Sequence, residues 1–492
     1  MTRRCVVPAV VALCLLAGCA VGPKYRAPVV KTPEAFSQAQ GQKPAADVAA
    51  LADWWRTFQD QKLSSLVERA ISSNLDVKVA KARLLEARAT FRNTQASKRL
   101  PAGNANFNYS RSRTSSDNPQ IPKFGGGTLI PTTYSSYQSY LDASYELDLF
   151  GGVRHQIEAA SADAQSYEDS LRNTLVSAVA EVSRDYLQLR QYQEQLAVAR
   201  RTEATRKDTL RITEVRYKAG LVTDLDVANA AASLAQTQAS VPTLEANASQ
   251  MVHAISVLLG ENPAALAAEL NEASGIPASP SGIPVGLPSD LLRRRPDIRQ
   301  AERSLAAATA RVGVQVASLF PSISLTAQYG GQTGDALHLA NAAARFYTLG
   351  PQIKWGLLNY PATKANIRTY EARRDQQYLT YQKTVLTAFQ DVENALASHR
   401  ADQQRLAALE QQVSQLQKAA ALAMNRYTHG LTNFLDVLDA QRSLNTAEDS
   451  VVQSRAAVNI DIVSVYKALG GGWEQNDPVA DNRSGRRQDV SR

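Results

Sequence analysis

The residues best equipped for chemistry sit in a short stretch that the chain carries twice. RYTHGLTNFLDVLDAQR at 426–442 holds Asp436, Asp439 and Arg442 at steps of three, so all three share one helical face. RYKAGLVTDLDVANAAA at 216–232 matches it in Arg, Tyr, Gly, Leu and the Leu-Asp-Val triplet at a constant offset of 210 residues, with Asp224 and Asp226 but with Asn229 and Ala232 where the other copy has Asp439 and Arg442. Carboxylates beside an arginine on an exposed helix face are electrostatic equipment. Repeated around a symmetry axis, they make an acidic ring that selects cations and gates by salt bridges. The same carboxylates can cap a helix N-terminus in solvent. Both readings stay open for Asp226 and Asp436, whereas Asp439 with Arg442 reads as a gate.

Other chemistry is missing. No GxxxxGK[ST], HExxH, GxSxG or CxxC occurs, so the chain does not read as an enzyme. The five histidines, at 155, 253, 338, 399 and 429, lack ligand spacing, so no metal and no cofactor is expected. RRRPD at 293–297 could mimic a phosphate-binding site, but Pro296 marks it as a helix start. The cysteines are Cys5, Cys14 and Cys19. Arg3 and Arg4 precede an apolar run from Val6 to Ala17, too short to span a membrane and right for a signal peptide over 1–18. Leu16-Ala17-Gly18-Cys19 resembles the bacterial lipobox, which makes Cys19 an acylated first residue; Ala20 after it favours the outer membrane by likeness to other lipoproteins. Cleavage leaves one blocked cysteine and no disulfide. The net charge of +8 falls to +6 without Arg3 and Arg4. A secreted lipoprotein meets no nucleic acid, so this charge reads as solvated helix faces and a polar tail.

The elements that position the two copies follow from period and punctuation. Residues 19–61 read as an N-terminal linker ending in Trp54, Trp55 and Phe58. In the first repeat, 62–260, apolar residues at helical spacing run from Leu63 to Ala89 as one helix ending before Pro101. Alternation then predicts strands at about 104–113 and 136–149, around a loop with Gly125-Gly126-Gly127. A helix over 153–218 would run about 100 Å, too long for a globular core. The tip at 217–226 turns the chain into a return helix that Pro242 should kink. Residues 261–290 are a Pro/Gly/Ser connector, and 291–470 repeat the programme with strands at about 322–330 and 346–357 and a tip at 427–436. Residues 471–492 read as a disordered tail. Four strands cannot close a membrane barrel, and open edges are forbidden in lipid. A small soluble sheet is the plain alternative; the aromatic face and the lipobox favour strands pooled between protomers.

CAVGPKYRAP at 19–28, WWRTFQD at 54–60, LLRRRPDIRQAE at 291–302, LFPSISLTAQYG at 319–330 and GLTNFLDVLDAQR at 430–442 together resemble the TolC/OprM-type outer membrane factors, specifically the NodT-like efflux lipoproteins. The resemblance implies a mainly α fold with a β-barrel part. Two pseudo-repeats would form a long α-helical barrel, and four strands per protomer would enter a trimeric twelve-stranded transmembrane β-barrel. It implies an exit duct for small molecules, a homotrimer in outer membrane lipid served by a periplasmic membrane-fusion adaptor and an inner-membrane RND-type pump. By the same resemblance Leu435, Asp436, Asp439 and Arg442 line or lock an iris, with Asp226 in the first tip and Tyr427 as a partner. Ala219, Gly220, Leu221, His429, Gly430 and Leu431 match the adaptor-docking tips. Type I protein secretion is the alternative conduit, and a structural coiled-coil envelope lipoprotein the alternative outside that class; a lipid-anchored hydrolase would need a nucleophile–base pair.

Overall fold

A computed structural model describes residues 20–38, 51–115, 133–272, 274–280 and 288–474, with backbone alone at 123–124 and 127–128. The signal segment, Cys19, the centre of the glycine loop and residues 475–492 lie outside the described residues. The chain forms two units. One takes in Met1–Pro28, Leu85–Gln165 and Glu302–Thr380; the other takes in Val29–Leu84, Ser166–Ala301 and Tyr381–Arg492.

The first unit is built on an antiparallel four-stranded sheet, β1 (Ala102–Arg113), β2 (Thr133–Leu147), β3 (Ser322–Thr333) and β4 (Arg345–Lys354), in that order. Register makes the period-two pattern into two faces. Leu141 stands opposite Tyr329, Tyr329 opposite Tyr347, Leu147 opposite Ile323 and Ile323 opposite Ile353. Residues directly opposite share a face, so the odd positions form one apolar surface, with Phe107, Leu141, Tyr329, Tyr347, Leu349 and Ile353 all exposed. The even positions carry Asn104, Asn106, Asp142, Gln328 and Gln352. There Asp142 accepts hydrogen bonds from the side-chain amides of Asn104 and Asn106. The order leaves β1 and β4 as edges.

Strand ends depart from the alternation for a local reason. The alternation carries the second strand to residue 149, but Asp148 turns to accept from the Val153 and Arg154 amides at 3.1 and 3.0 Å. It thereby caps the helix that follows, and the strand stops at Leu147. In β4 the chain leaves the sheet after Lys354, and Trp355 donates to the Leu319 carbonyl at 3.1 Å.

The second unit is helical, and its two longest helices have one end in the first. The single helix expected from Leu63 is two: α1 (Gln61–Ser73) and α2 (Leu75–Arg99). Asn74 breaks it by accepting the Asp76 and Val77 amides at 2.8 and 3.1 Å while donating to the Leu258 carbonyl at 2.8 Å. The second half has the counterpart at Arg295, before α5 (Pro296–Ala317), which donates to the Ala468 carbonyl at 3.1 Å. Leu258 and Ala468 are 210 residues apart, the offset of the repeat. Each half thus ties its return helix to its first helix at the same place. The paired Leu-Gly ends explain themselves here, because a Cβ on Gly470 would meet Arg295 Cγ at 3.0 Å.

The long helices are α3 (Gly152–Lys218) and α6 (Tyr360–Thr428), and their returns are α4 (Asp224–Leu258) and α7 (Phe434–Ala468). α4 continues as helix through Pro242. Where the helices of this unit meet, Trp54, Trp55 and Phe58 pack with Tyr186, Ile255, Ile462 and Tyr466. Trp54 stacks on Tyr466 at 5.2 Å. Tyr186 donates to Asp60 at 2.7 Å, while the other Asp60 oxygen caps α1 at the Leu63 amide. No described helix is long and apolar enough to cross a membrane.

Candidate functional site at the helical tips

Both tips have one backbone. The Leu221 amide bonds the Arg216 carbonyl at 2.9 Å and the Gly220 amide bonds Tyr217 at 2.8 Å; in the second tip Leu431 bonds Arg426 at 2.8 Å and Gly430 bonds Tyr427 at 2.9 Å. These paired bonds end each helix in a left-handed residue, with Gly220 at φ +71° and Gly430 at φ +75°. A side chain at either glycine would be strained. Nothing lies near a Cβ added at either. Ala219, Gly220, Leu221, His429, Gly430 and Leu431 therefore sit at two open turns, with Leu221 and Leu431 both exposed.

The caps differ. Thr223 precedes α4, and its amide and hydroxyl both donate to Asp226 Oδ2 at 2.9 Å. Asn433 precedes α7 without a side-chain cap bond. The Asp436 carboxylate instead accepts from the Thr432 hydroxyl. Asp226 and Asp436 are thus both held within their own turns.

One turn further, Asp439 and Arg442 form an ion pair at 3.2 Å, both more than two-thirds exposed. An exposed pair of this kind adds little stability. Leu435 is exposed beside Asp436. Tyr427 takes no part in this charged set. It is buried with Phe434, Val437 and Ala230, its ring 5.4 Å from Phe434, and its hydroxyl has no hydrogen-bond partner among the described residues.

Arg216 joins the tips. Its guanidinium lies 4.7 Å over the Tyr427 ring and donates to the Thr428 carbonyl at 2.8 Å. A cation over an aromatic face, with a charged hydrogen bond beside it, pins one turn to the other. Gln441 adds a bond to Thr209 at 3.3 Å. Nothing local distinguishes Arg216, since Arg426 occupies the matching position of the other copy.

The second hairpin carries one more set that the spacing does not reveal. His399 and Asp402 on α6 lie near Asp461 on α7. Burial, and then the Asp402 carboxylate, pushes the Asp461 carboxyl up to about 7. Burial pulls buried His399 below its ordinary range. No group of three or more His, Cys, Asp or Glu able to hold a metal occurs among the described residues.

The RRRPD run is absorbed internally. Arg295 is buried and bonds Asp297 at 2.7 Å and Asp391 at 3.0 Å, so it is not available as a phosphate site.

The family model for "Outer membrane efflux protein" matches residues 66–261 and 287–471, the two repeats in turn. The antibiotic efflux pump outer membrane protein ArpC of Pseudomonas putida is 33% identical over 488 residues, covering 98% of this chain and 99% of that protein. Nodulation protein T of Rhizobium leguminosarum bv. trifolii is 33% identical over 464 residues, 92% of this chain and 96% of its own. The outer-membrane channel OprN superposes with a TM-score of 0.86 at 36% identity, covering 93% of this chain and 100% of that one.

Proposed function

The chain belongs to the outer membrane efflux protein family; it is an outer membrane efflux channel and not an enzyme, and we propose that it is the passive exit duct of a tripartite pump, gated at its second helical tip. One observation carries the membrane half of this reading. The sheet has a continuous apolar face, a polar face and two edge strands, each paired on one side only among the described residues. Such edges are untenable in lipid unless another copy closes them. Three copies would pool their strands into a twelve-stranded barrel, apolar face outward. Cys19 would add a lipid anchor.

The second tip supports the gate. Asp436 and Leu435 stand exposed at the turn, and Asp439 and Arg442 face solvent one turn on. Three copies would bring nine ionic side chains of this set to one axis, enough to narrow a pore and to lock it by pairs. The open turns Ala219–Leu221 and His429–Leu431 would receive a helical hairpin of a periplasmic adaptor. The chain itself supplies no energy source. Adaptor docking would shift a closed population towards an open one by binding the open form better. The cargo class is small molecules handed over by an inner-membrane pump; the pump makes the choice.

Single-channel conductance of the purified protein in a planar bilayer tests both halves, with wild type beside the double variant Asp436→Ala/Asp439→Ala. A small wild-type conductance that rises in the variant is expected. No conductance from folded, oligomeric protein would return the chain to a structural role. Equal conductance would keep the duct and remove these aspartates as its lock.

A further inference from the structure

Arg206 lies on α3 where that helix meets α4 and α7, about 15 Å before the tip at 1.5 Å per residue. It is 9% exposed. Among the described residues its guanidinium makes one hydrogen bond, to the Ser233 carbonyl, and its Nε has no partner. Among the described residues no carboxylate pairs with it. Burial alone draws its ionisation below the ordinary range.

Of the other deeply buried arginines of this unit, two have carboxylate partners and Arg190 has several neutral ones. Arg172 bonds Asp169 at 2.7 Å and Glu168 at 2.8 Å. Arg295 bonds Asp297 and Asp391. Arg190 has Gln193 at 2.6 Å, the Glu272 carbonyl at 2.9 Å and the ring of Tyr186. A buried cation without a counter-ion is costly, so such a site favours an anion that enters it.

There is room for one. Arg206 lines a groove of about 530 Å³ between the three helices, within the range of small-molecule sites. Thr202, Thr237, Ser240, Asn445 and Thr446 supply uncharged polar groups around it, while Val198, Ala199 and Leu244 supply an apolar wall. Pro242 on the α4 wall lacks an N–H and leaves the Gln238 carbonyl without its helical donor. The one carboxylate in the lining, Asp449, is held by Gln195 and Gln453 at 2.6 Å each.

We propose that this groove binds a small organic carboxylate, its anionic head on Arg206 and its apolar body along Val198, Ala199 and Leu244. One guanidinium among neutral polar groups suits a single negative charge. A phosphate dianion would bring a second charge towards Asp449 with no second cation to meet it. The walls come from α3 and α4 of the first hairpin and α7 of the second, so an occupant bridges the two hairpins above their tips.

Titration calorimetry of the full chain in detergent at pH 7.5 tests this with benzoate as the probe and benzamide as its neutral counterpart. Benzoate should bind saturably, and benzamide at least 10-fold more weakly. Arg206→Gln should lose 10-fold or more in benzoate affinity, and Arg206→Lys should recover part of it. Thr202→Val with Ser240→Ala, on facing walls, should also weaken benzoate, which keeps the test intact if Arg206→Gln fails to fold. Absent binding, equal binding of benzamide, or benzoate affinity unmoved by Arg206→Gln overturns the proposal. Loss of oligomer in Arg206→Gln without benzoate binding to wild type also overturns it, and assigns the counter-ion to a neighbouring copy.

Discussion

The two tips share a backbone and a set of matching residues, yet their surroundings differ. Tyr217 is 46% exposed and its mate Tyr427 is 2% exposed, though both sit two positions before the same turn, 210 residues apart. Asp224 opens the return helix of the first tip in solvent, where Phe434 in the second is buried. Arg216 reaches across to the other hairpin, and Arg426 stays exposed. The first tip is closed upon itself by Thr223 and Asp226. The second is held from outside, by Arg216 and by a small apolar core. A duplicated turn thus becomes one self-capped element and one docked element, and the docked one carries the exposed charges.

The comparison breaks most easily at the docked core. Phe434→Ala removes a buried ring and should cost the second tip about 3–5 kcal/mol, read as faster hydrogen exchange at 423–438. Tyr217→Ala, the exposed mate of Tyr427, should stay within about 0.5 kcal/mol. Equal effects would show that both tips are packed alike.

Next comes the tie itself. Arg216→Ala loses a cation–π contact and a charged hydrogen bond, together about 1–2 kcal/mol. It should raise both exchange at the second tip and channel conductance. Arg426→Ala should change neither.

Capping separates the tips more finely. Thr223→Ala should cost about 1 kcal/mol of α4 stability. Asn433→Ala, which removes no side-chain cap bond, should cost only a few tenths. Circular dichroism of the matched variants measures the difference.

The hairpins should also differ in their response to pH. At the 210-residue offset, Asp402 and Asp461 correspond to Tyr192 and Met251, so the acid pair is confined to the second hairpin. The Asp461 carboxyl is raised from its ordinary 3.8 to about 7. Its stabilising effect is therefore complete below about 4, declines as pH rises, and is gone above about 7. Protection of the α7 amides, corrected for the intrinsic pH dependence of exchange, should fall over that interval while that of α4 holds, and Asp461→Asn should flatten the profile. Asp439→Ala should have the smallest effect on stability, near zero for so exposed a pair, while still changing conductance. A variant that unfolded without altering conductance would reverse the roles given to the pair.

Much of this was legible in the chain itself. The strand alternation around Tyr329 and Tyr347, the turn glycines Gly220 and Gly430, and the duplicated order of elements are dictated locally, because period and left-handed φ depend on neighbours a few residues away. The motifs at 54–60, 291–302 and 430–442 likewise pointed to the family that the comparisons show. Tertiary structure decided the rest. Asn74 breaks a helix whose apolar spacing runs straight through it, since its side chain serves a carbonyl 184 residues away. Asp148 reads as one more alternating residue until it is seen capping α3. Tyr217 and Tyr427 are one residue type in one local sequence, and only the hairpin each one meets makes one exposed and the other core. Arg206 carries no local mark at all. Its meaning comes from three helices that bury its charge with no carboxylate beside it among the described residues, because the cost of a charge depends on what surrounds it in space and not on its neighbours along the chain.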